Sequence, residues 1–233
     1  MDPNRRHFLE LFVPTKAQAG SLQSQSRSPH YAMLIDLRRC VGCQACTIAC
    51  GMENRLPEGQ HRTTVADYEL MAFGQTRRAV LPRLCNHCEQ PSCTAGCPTG
   101  ATYKREDGVV VVDSSMCVGC AYCVQNCPYD ARFMNEQTRT ADKCTFCIQR
   151  TSNGLLPACV ESCVGKARIF GDLNDPDSMI SKYLRDNPVQ VLKSDKGTRP
   201  QVYYISLDGA LQNTLGEEAT SLIQGRRSIG KRG

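Results

Sequence analysis

Cys117-Val118-Gly119-Cys120-Ala121-Tyr122-Cys123-Val124-Gln125-Asn126-Cys127-Pro128 sets three cysteines two residues apart and a fourth three residues further on, with proline behind it. Two intervening residues let a chain turn back with each sulfur pointing inward, so three such thiols can grip one inorganic body while the fourth lies past the turn. In two-cluster ferredoxins the first three Cys of such a run ligate one cubane and the fourth, followed by Pro, ligates the other. The same C-x2-C-x2-C-x3-C spacing recurs at Cys40, Cys43, Cys46 and Cys50. Cys85, Cys88, Cys93 and Cys97 stretch it at one gap, as do Cys144, Cys147, Cys159 and Cys163. All sixteen cysteines fall into these four groups, an internal repeat of irregular period.

Disulfide frameworks belong to short secreted chains, whereas pairs only two residues apart are typical of metal chelation. Structural zinc is the nearer rival. Two C-x2-C pairs, such as Cys85/Cys88 with Cys144/Cys147, can make a four-thiolate zinc site, but zinc gives no reason for triplets followed by a fourth Cys, occurring twice. The spacing points to four [4Fe-4S] clusters. Cys97-Pro98 and Cys127-Pro128 make groups two and three a reciprocal pair: Cys85, Cys88, Cys93 and Cys127 on cluster 2, and Cys97, Cys117, Cys120 and Cys123 on cluster 3. By elimination groups one and four are the other pair, with Cys40, Cys43, Cys46 and Cys163 on cluster 1 and Cys50, Cys144, Cys147 and Cys159 on cluster 4.

The rest of the chain agrees with a protein held together by metal. Of 233 residues, 41 % are hydrophobic, but cysteine is a large share of these, Phe and Tyr are sparse and Trp is absent, so the organic core is thin. Site formation coupled to folding supplies the missing cohesion. The net charge of +5 is scattered rather than blocked, which fits a solvated surface better than a nucleic-acid footprint. Arg38, Arg39, Arg83, Arg132, Lys143 and Lys166 stand beside the cysteine groups, where positive charge raises a cluster's potential; read one at a time, each is a solvated side chain. No C-x-x-C-H marks a c-type haem, and no G-x-G-x-x-G follows a strand. Gly225 to Lys231 fits the opening of a P-loop only by coincidence, since Arg232 stands where Ser or Thr is needed. His7, His30, His61 and His87 form no ligand-spaced pattern; His87 is expected beside a cluster or on the surface, not as a ligand. No nucleophile, general acid or general base is called for.

Short β-prone runs lie between the groups, at Tyr31 to Leu37, Arg78 to Leu84, Thr102 to Arg105, Val109 to Val112, Arg168 to Phe170 and Val202 to Leu207. Asp107-Gly108 supplies a hairpin turn. Stretches such as Thr47-Ile48-Ala49, between third and fourth Cys, suit a helical turn, and Pro176 to Arg185 predicts a helix with Pro in its first turn. The fold class is α+β, two ferredoxin-like lobes each binding two [4Fe-4S] clusters. Residues 1–30 form a leader, 31–84 the first part of lobe 1, 85–143 lobe 2, 144–175 the second part of lobe 1 and 176–233 a C-terminal extension ending in a loose Gly- and Arg-rich segment. Arg5-Arg6-His7-Phe8-Leu9 resembles a twin-arginine export signal and Ala17-Gln18-Ala19 a cleavage site, although Glu10, Pro14 and Lys16 interrupt the apolar stretch between them. No apolar run approaches the roughly 18 residues that span a bilayer. The expected location is periplasmic, peripheral at the inner membrane, with the cytoplasmic face as the alternative.

Tyr31-Ala32-Met33-Leu34-Ile35-Asp36, Leu84-Cys85-Asn86-His87-Cys88, Cys127-Pro128-Tyr129-Asp130-Ala131-Arg132, Lys143-Cys144-Thr145-Phe146-Cys147 and Pro157-Ala158-Cys159-Val160-Glu161 resemble the iron-sulfur subunits of complex molybdopterin oxidoreductases, the family of the dimethyl sulfoxide, polysulfide and tetrathionate reductases. Leu37-Arg38-Arg39-Cys40 and the Cys117 to Cys123 run are most similar to the tetrathionate branch. The resemblance runs from Tyr31 to Asp208. It implies an electron-transfer subunit that serves a molybdopterin-containing catalytic subunit and a membrane quinone-reactive subunit in anaerobic respiration. Tetrathionate or a related sulfur compound is the expected acceptor; an arsenic-oxyanion or polysulfide enzyme and a free-standing polyferredoxin are the alternatives. It also implies that cluster 1 faces the catalytic subunit, which leaves the Cys144 group facing the quinone side. One departure is Val164, where the family often has Pro after the last Cys.

Overall fold

A computed structural model of the chain describes residues 28–72, 75–209 and 211. The leader with Arg5, Arg6 and the Ala17-Gln18-Ala19 site lies outside the described residues, as does the Gly- and Arg-rich end.

The main sheet has four strands. β1 (Tyr31–Asp36) is its heart, because Ala32, Met33, Leu34 and Ile35 are apolar without alternation and are buried on both faces. It pairs antiparallel with β8 (Arg168–Asp172) and parallel with β10 (Val202–Ile205), and β9 (Val189–Gln190) closes the far edge. Residues after 175 therefore complete this sheet. α6 (Met179–Asp186) lies on one face, seating Ile180 against Ala32, Leu34, Ile169 and Ile205. It begins three residues after Pro176, contrary to the expectation of Pro in its first turn, because the Ser178 hydroxyl accepts the amide of Ser181 at 3.2 Å and fixes the start.

Three hairpins complete the strands. β2 (Thr63–Ala72) and β3 (Gln75–Leu84) form a ten-residue ribbon in register from Thr63↔Leu84 to Ala72↔Gln75. Only part of β3 is legible in the sequence. β2 escapes because Asp67 and Glu69 are poor strand formers, yet Asp67 is held by Arg78 from the facing strand at 2.9 Å. β4 (Thr102–Lys104) and β5 (Val110–Val112) form the expected Asp-Gly hairpin, with Gly108 at φ +82°. β6 (Arg132–Met134) and β7 (Ala141–Lys143) form a third, which the sequence reading missed.

Five helices take the cysteines or follow them: α1 (Ala45–Asn54), α2 (Ser92–Ala95), α3 (Tyr122–Gln125), α4 (Ile148–Thr151) and α5 (Ala158–Glu161). The largest buried cluster joins Met33, Ile35, Val65, Leu81, Phe146 and Tyr204 to Cys46, Cys85, Cys144 and Cys159, so cysteines make up part of the core itself. No helix among the described residues is long and apolar enough to cross a membrane.

Candidate functional site

The third and fourth cysteine of every group are four residues apart, one helical turn, which sets both sulfurs on one face about 5–6 Å apart at Cβ. Cys46 and Cys50 do this within α1, and both are buried. In the other groups the helix is one turn long and ends just before the fourth Cys, whose amide donates back to Thr94, Val124 or Val160 at 3.1, 3.3 and 3.2 Å. The chain then turns back: Gly100, Asp130 and Lys166 donate to the carbonyls of Cys97, Cys127 and Cys163. Val164 thus sits in the same turn as Pro98 and Pro128, and the departure from Pro leaves the loop intact.

A second local rule fixes the first two cysteines of each group. The residue just before the second Cys is left-handed in all four: Gly42 at φ +71°, His87 at +42°, Gly119 at +73° and Phe146 at +52°. This kink aims both sulfurs to one side. Glycine adopts it freely, whereas His and Phe are strained there by roughly 1–3 kcal/mol each. The strain is offset by a contact: the rings of His87 and Phe146 stack with centroids 3.7 Å apart. His87 is fully buried and accepts the Val110 amide on Nδ1 at 3.1 Å, which excludes the surface position that the sequence allowed.

Three cavities are ringed by thiols. Cys40, Cys43, Cys46 and Cys163 line one, with Val65, Pro82 and Arg168; Cys50, Cys144, Cys147 and Cys159 line the next, with Met33, Thr63 and Phe146. Cys85, Cys88, Cys93 and Cys127 line the third, with Val110, Tyr129 and Arg132. Each takes three thiols from one group and one from another. Backbone packing shows why. A Cβ on Gly165 would run into the carbonyl oxygen of Arg39, so the loop beyond Cys163 is pressed against the approach to Cys40. Likewise a Cβ on Gly96 would run into the Asn126 side chain and lie 2.9 Å from Tyr122, which brings Cys97 to the helix that carries Cys123. Cys123 and Cys117 pack with Val110 and Ala141.

Exposure grades the four groups of thiols. Cys50, Cys144, Cys147 and Cys159 are all buried, whereas Cys43 and Cys120 are exposed. The Cys144 set is therefore the most enclosed of the four and meets the Cys85 loop through the rings of Phe146 and His87, which counts against the expectation that it faces a membrane partner.

All sixteen cysteines are free thiols, so the disulfide reading fails. Among the described residues no three His, Cys, Asp or Glu converge as a single metal ion requires. Zinc would draw four sulfurs to about 2.3 Å from one point; here they stand around a space. The surroundings fit an anionic cluster in that space. Burial, then repulsion from Cys159 and Cys147, pushes the Cys50 thiol up to about 12. Burial likewise pushes Cys88 to about 12, Cys159 to about 11 and Cys144 well above the ordinary thiol value. Iron would replace those protons and offset the repulsion. Backbone amides point at the sulfurs, Ala167 to Cys163 at 3.2 Å and Phe146 to Cys144 at 3.4 Å. Asn86, on the wall of the third cavity, has both amide atoms buried and unbonded.

Of the six cations beside the cysteine groups, Arg38, Arg39 and Lys166 are exposed and Arg83 is half-buried, but Arg132 and Lys143 are buried with Arg168, which the sequence reading missed. Arg132 donates from Nη2 to Cys93 Sγ at 3.0 Å, and an Arg168 Nη1 stands 3.9 Å from Cys159 Sγ.

Repeated thiol-ringed cavities, built into a mixed helix and strand fold, define an iron-sulfur protein of the ferredoxin-like class. The 4Fe-4S dicluster domain family matches residues 76–173. The tetrathionate reductase B subunit of Salmonella typhimurium is 51 % identical over 232 residues, covering 92 % of this chain and 93 % of the relative. The tetrathionate reductase B subunit of Archaeoglobus fulgidus is 44 % identical over 179 residues, 77 % of this chain and 83 % of its own. The selenate reductase B subunit of Mesobacillus selenatarsenatis is 38 % identical over 209 residues, covering 76 % and 72 %. The chain belongs to the family of iron-sulfur electron-transfer subunits of the tetrathionate and dimethyl sulfoxide reductase type. It is an electron-transfer subunit of a reductase complex.

Proposed function

We propose that the chain carries four [4Fe-4S] clusters and relays electrons between a molybdopterin catalytic subunit and a membrane quinone-reactive subunit in anaerobic respiration of tetrathionate or a related sulfur compound. Cluster 1 takes Cys40, Cys43, Cys46 and Cys163; cluster 4 takes Cys50, Cys144, Cys147 and Cys159; cluster 2 takes Cys85, Cys88, Cys93 and Cys127; cluster 3 takes Cys97, Cys117, Cys120 and Cys123. The observation that carries this reading is the three-plus-one origin of the thiols around each cavity. Iron would pass single electrons between clusters; the protein sets the spacing and, through burial, charge and hydrogen bonds to sulfur, the potentials.

The order of the relay is 1, 4, 2, 3. The helical turn of α1 supports the first step, since Cys46 and Cys50 border successive cavities. The His87–Phe146 stack supports the second, and Arg132, between Cys93 and Cys123, the third. The two ends, clusters 1 and 3, have the exposed thiols Cys43 and Cys120. They also have exposed apolar side chains, Val41 and Val164 at one and Met116, Val118 and Tyr122 at the other, as two docking faces would. Export across the inner membrane, by Arg5-Arg6 or in company with a partner, belongs to the same reading; replacing both arginines with lysine tests the first route, and unchanged location rejects it.

Anaerobically purified chain should contain about sixteen irons and about sixteen acid-labile sulfides. Cys163→Ser should alter the same paramagnetic signal as Cys40→Ser, and Cys50→Ser the same as Cys144→Ser. Iron near half that amount, or a Cys163→Ser spectrum matching Cys144→Ser, overturns the assignment. Co-purification with a large molybdenum-containing chain separates the subunit from a free polyferredoxin.

A further inference from the structure

The three buried cations are arranged in a way that the relay alone does not demand. Arg168 lines the cavity of Cys40, Cys43, Cys46 and Cys163, while its Nη1 stands 3.9 Å from Cys159 Sγ and its Nη2 donates to Thr63 Oγ1 at 2.9 Å, on the wall of the next cavity. Lys143 donates to the carbonyl of Cys144 at 2.7 Å and to that of Val110, which lines the cavity of Cys85, Cys88, Cys93 and Cys127. Arg132 lines that same cavity, donates to Cys93 Sγ at 3.0 Å and bonds the Cys123 side chain beyond it. Each cation touches the surroundings of two successive thiol sets, and together they mark all three junctions.

Their placement is unfavourable without counter-charge. Among the described residues none of the three is paired with a carboxylate, and the Arg132 Nε is buried and unbonded. Arg132 and Lys143 also sit directly opposite each other in the β6–β7 ladder, where like charges repel. Arg62, which lines the cavity of the Cys144 set, is different, because Asp142 at 2.8 Å cancels its charge. A cubane held by four thiolates is an anion in both of its redox states, and it is the counter-charge that fits.

We propose that Arg168, Lys143 and Arg132 form a row of fixed positive charges, one between each pair of successive clusters, and that each raises the potentials of both clusters it separates. The inference rests on the cluster assignment proposed above. In each step one electron leaves a reduced cubane and enters its oxidised neighbour; no bond forms or breaks, and the cation keeps its proton. A charge shared by donor and acceptor favours the electron on either side, so it lifts the pair without favouring one direction.

The test is a redox titration of the full chain, loaded with iron and followed by paramagnetic resonance. Arg132→Gln should lower the reduced-to-oxidised ratio of clusters 2 and 3 at a fixed potential by about tenfold or more, the scale of a unit charge a few ångströms away, and leave cluster 1 unchanged. Arg168→Gln should do so for clusters 1 and 4 and leave cluster 3 unchanged. A shift confined to the cluster whose sulfur is bonded would reduce the residue to a local hydrogen-bond donor and overturn the proposal, as would equal shifts in all four. If a glutamine costs the chain its iron, Arg132→Lys and Arg168→Lys decide: they keep the charge and should hold both adjoining ratios near those of the unaltered protein, and a tenfold fall at either adjoining cluster rejects the row of charges. Iron content and the Cys163→Ser spectrum are read independently, so failure of the cluster assignment would be seen as such.

Discussion

Phe146 lies against His87 with ring planes inclined by 26°, each ring projecting from a left-handed residue between the first two cysteines of its own group. The edge of Phe170 meets Phe146 at 5.3 Å, so the stack is anchored to the main sheet through β8. Two strained turns are held in place by one shared contact, and the cavities behind them are fixed relative to each other.

Phe146→Ala removes a fully buried ring and should destabilise the protein by about 3–5 kcal/mol, the usual loss for a buried Phe. The denaturant midpoint for loss of cluster absorbance should fall, while freshly loaded protein keeps its iron. An unchanged midpoint would show that the stack adds nothing to cohesion.

The order and spacing of the sixteen cysteines were legible because ligand geometry acts over two or three residues, which a sequence displays directly. The His87–Phe146 contact was not, although a signal existed: the same position is Gly42 and Gly119 in groups one and three, so a bulky residue there needed a reason. Arg132 and Lys143 stand beside cysteines in the sequence, but charged side chains are rarely buried, so nothing local marks these two as interior. Arg168 passed as one end of a strand. β2 was hidden by its own charges, whose cross-strand partner at Arg78 becomes visible only once the ribbon is paired.

Gly42 and Gly119 occupy equivalent turns, but alanine should be tolerated unequally. At Gly42 a Cβ meets the Val80 side chain at 3.1 Å, which can shift; at Gly119 it meets the Arg139 backbone carbonyl at 2.6 Å, which cannot without moving the loop. Both variants incur the left-handed penalty of about 1–2 kcal/mol. Iron retention after dilution should be lower for Gly119→Ala than for Gly42→Ala, and the reverse order would contradict the packing described.

Gly165 and Gly51 give a second contrast. Gly165→Ala would force its loop off Arg39 and separate Cys163 from Cys40, so on the proposed four-cluster assignment the protein should lose about a quarter of its iron. Gly51 lies within α1, where an added methyl group would meet open space; Gly51→Ala should keep full iron and gain about 0.5–1 kcal/mol from helix propensity. Full iron in Gly165→Ala would remove the close approach as the reason that the two groups meet.

Stripping the iron should unfold much of the chain. Thiols line part of the core, and their raised proton affinity means that the emptied cavities would refill with protonated, poorly packed side chains. Circular dichroism and protease resistance should fall together as chelator removes metal. An iron-free chain that kept both would place the cohesion in the organic core instead.

The return of Cys163 to the first group has a consequence for how the protein is made. Thiols for the Cys85 and Cys117 groups are complete once residue 127 has been synthesised, whereas the set begun at Cys40 waits for residue 163. At about 5–20 residues per second the interval is on the order of seconds. During that time three thiols near the start of the chain have no fourth partner and are open to oxidation or to the wrong metal. Iron supplied during synthesis should therefore fill the sites of the Cys85 and Cys117 groups first, an order that iron uptake by chains released at successive lengths would reveal. The first cysteine group to leave the ribosome belongs to the set that is finished last, and that set is the one most dependent on a protected, well-timed delivery of iron.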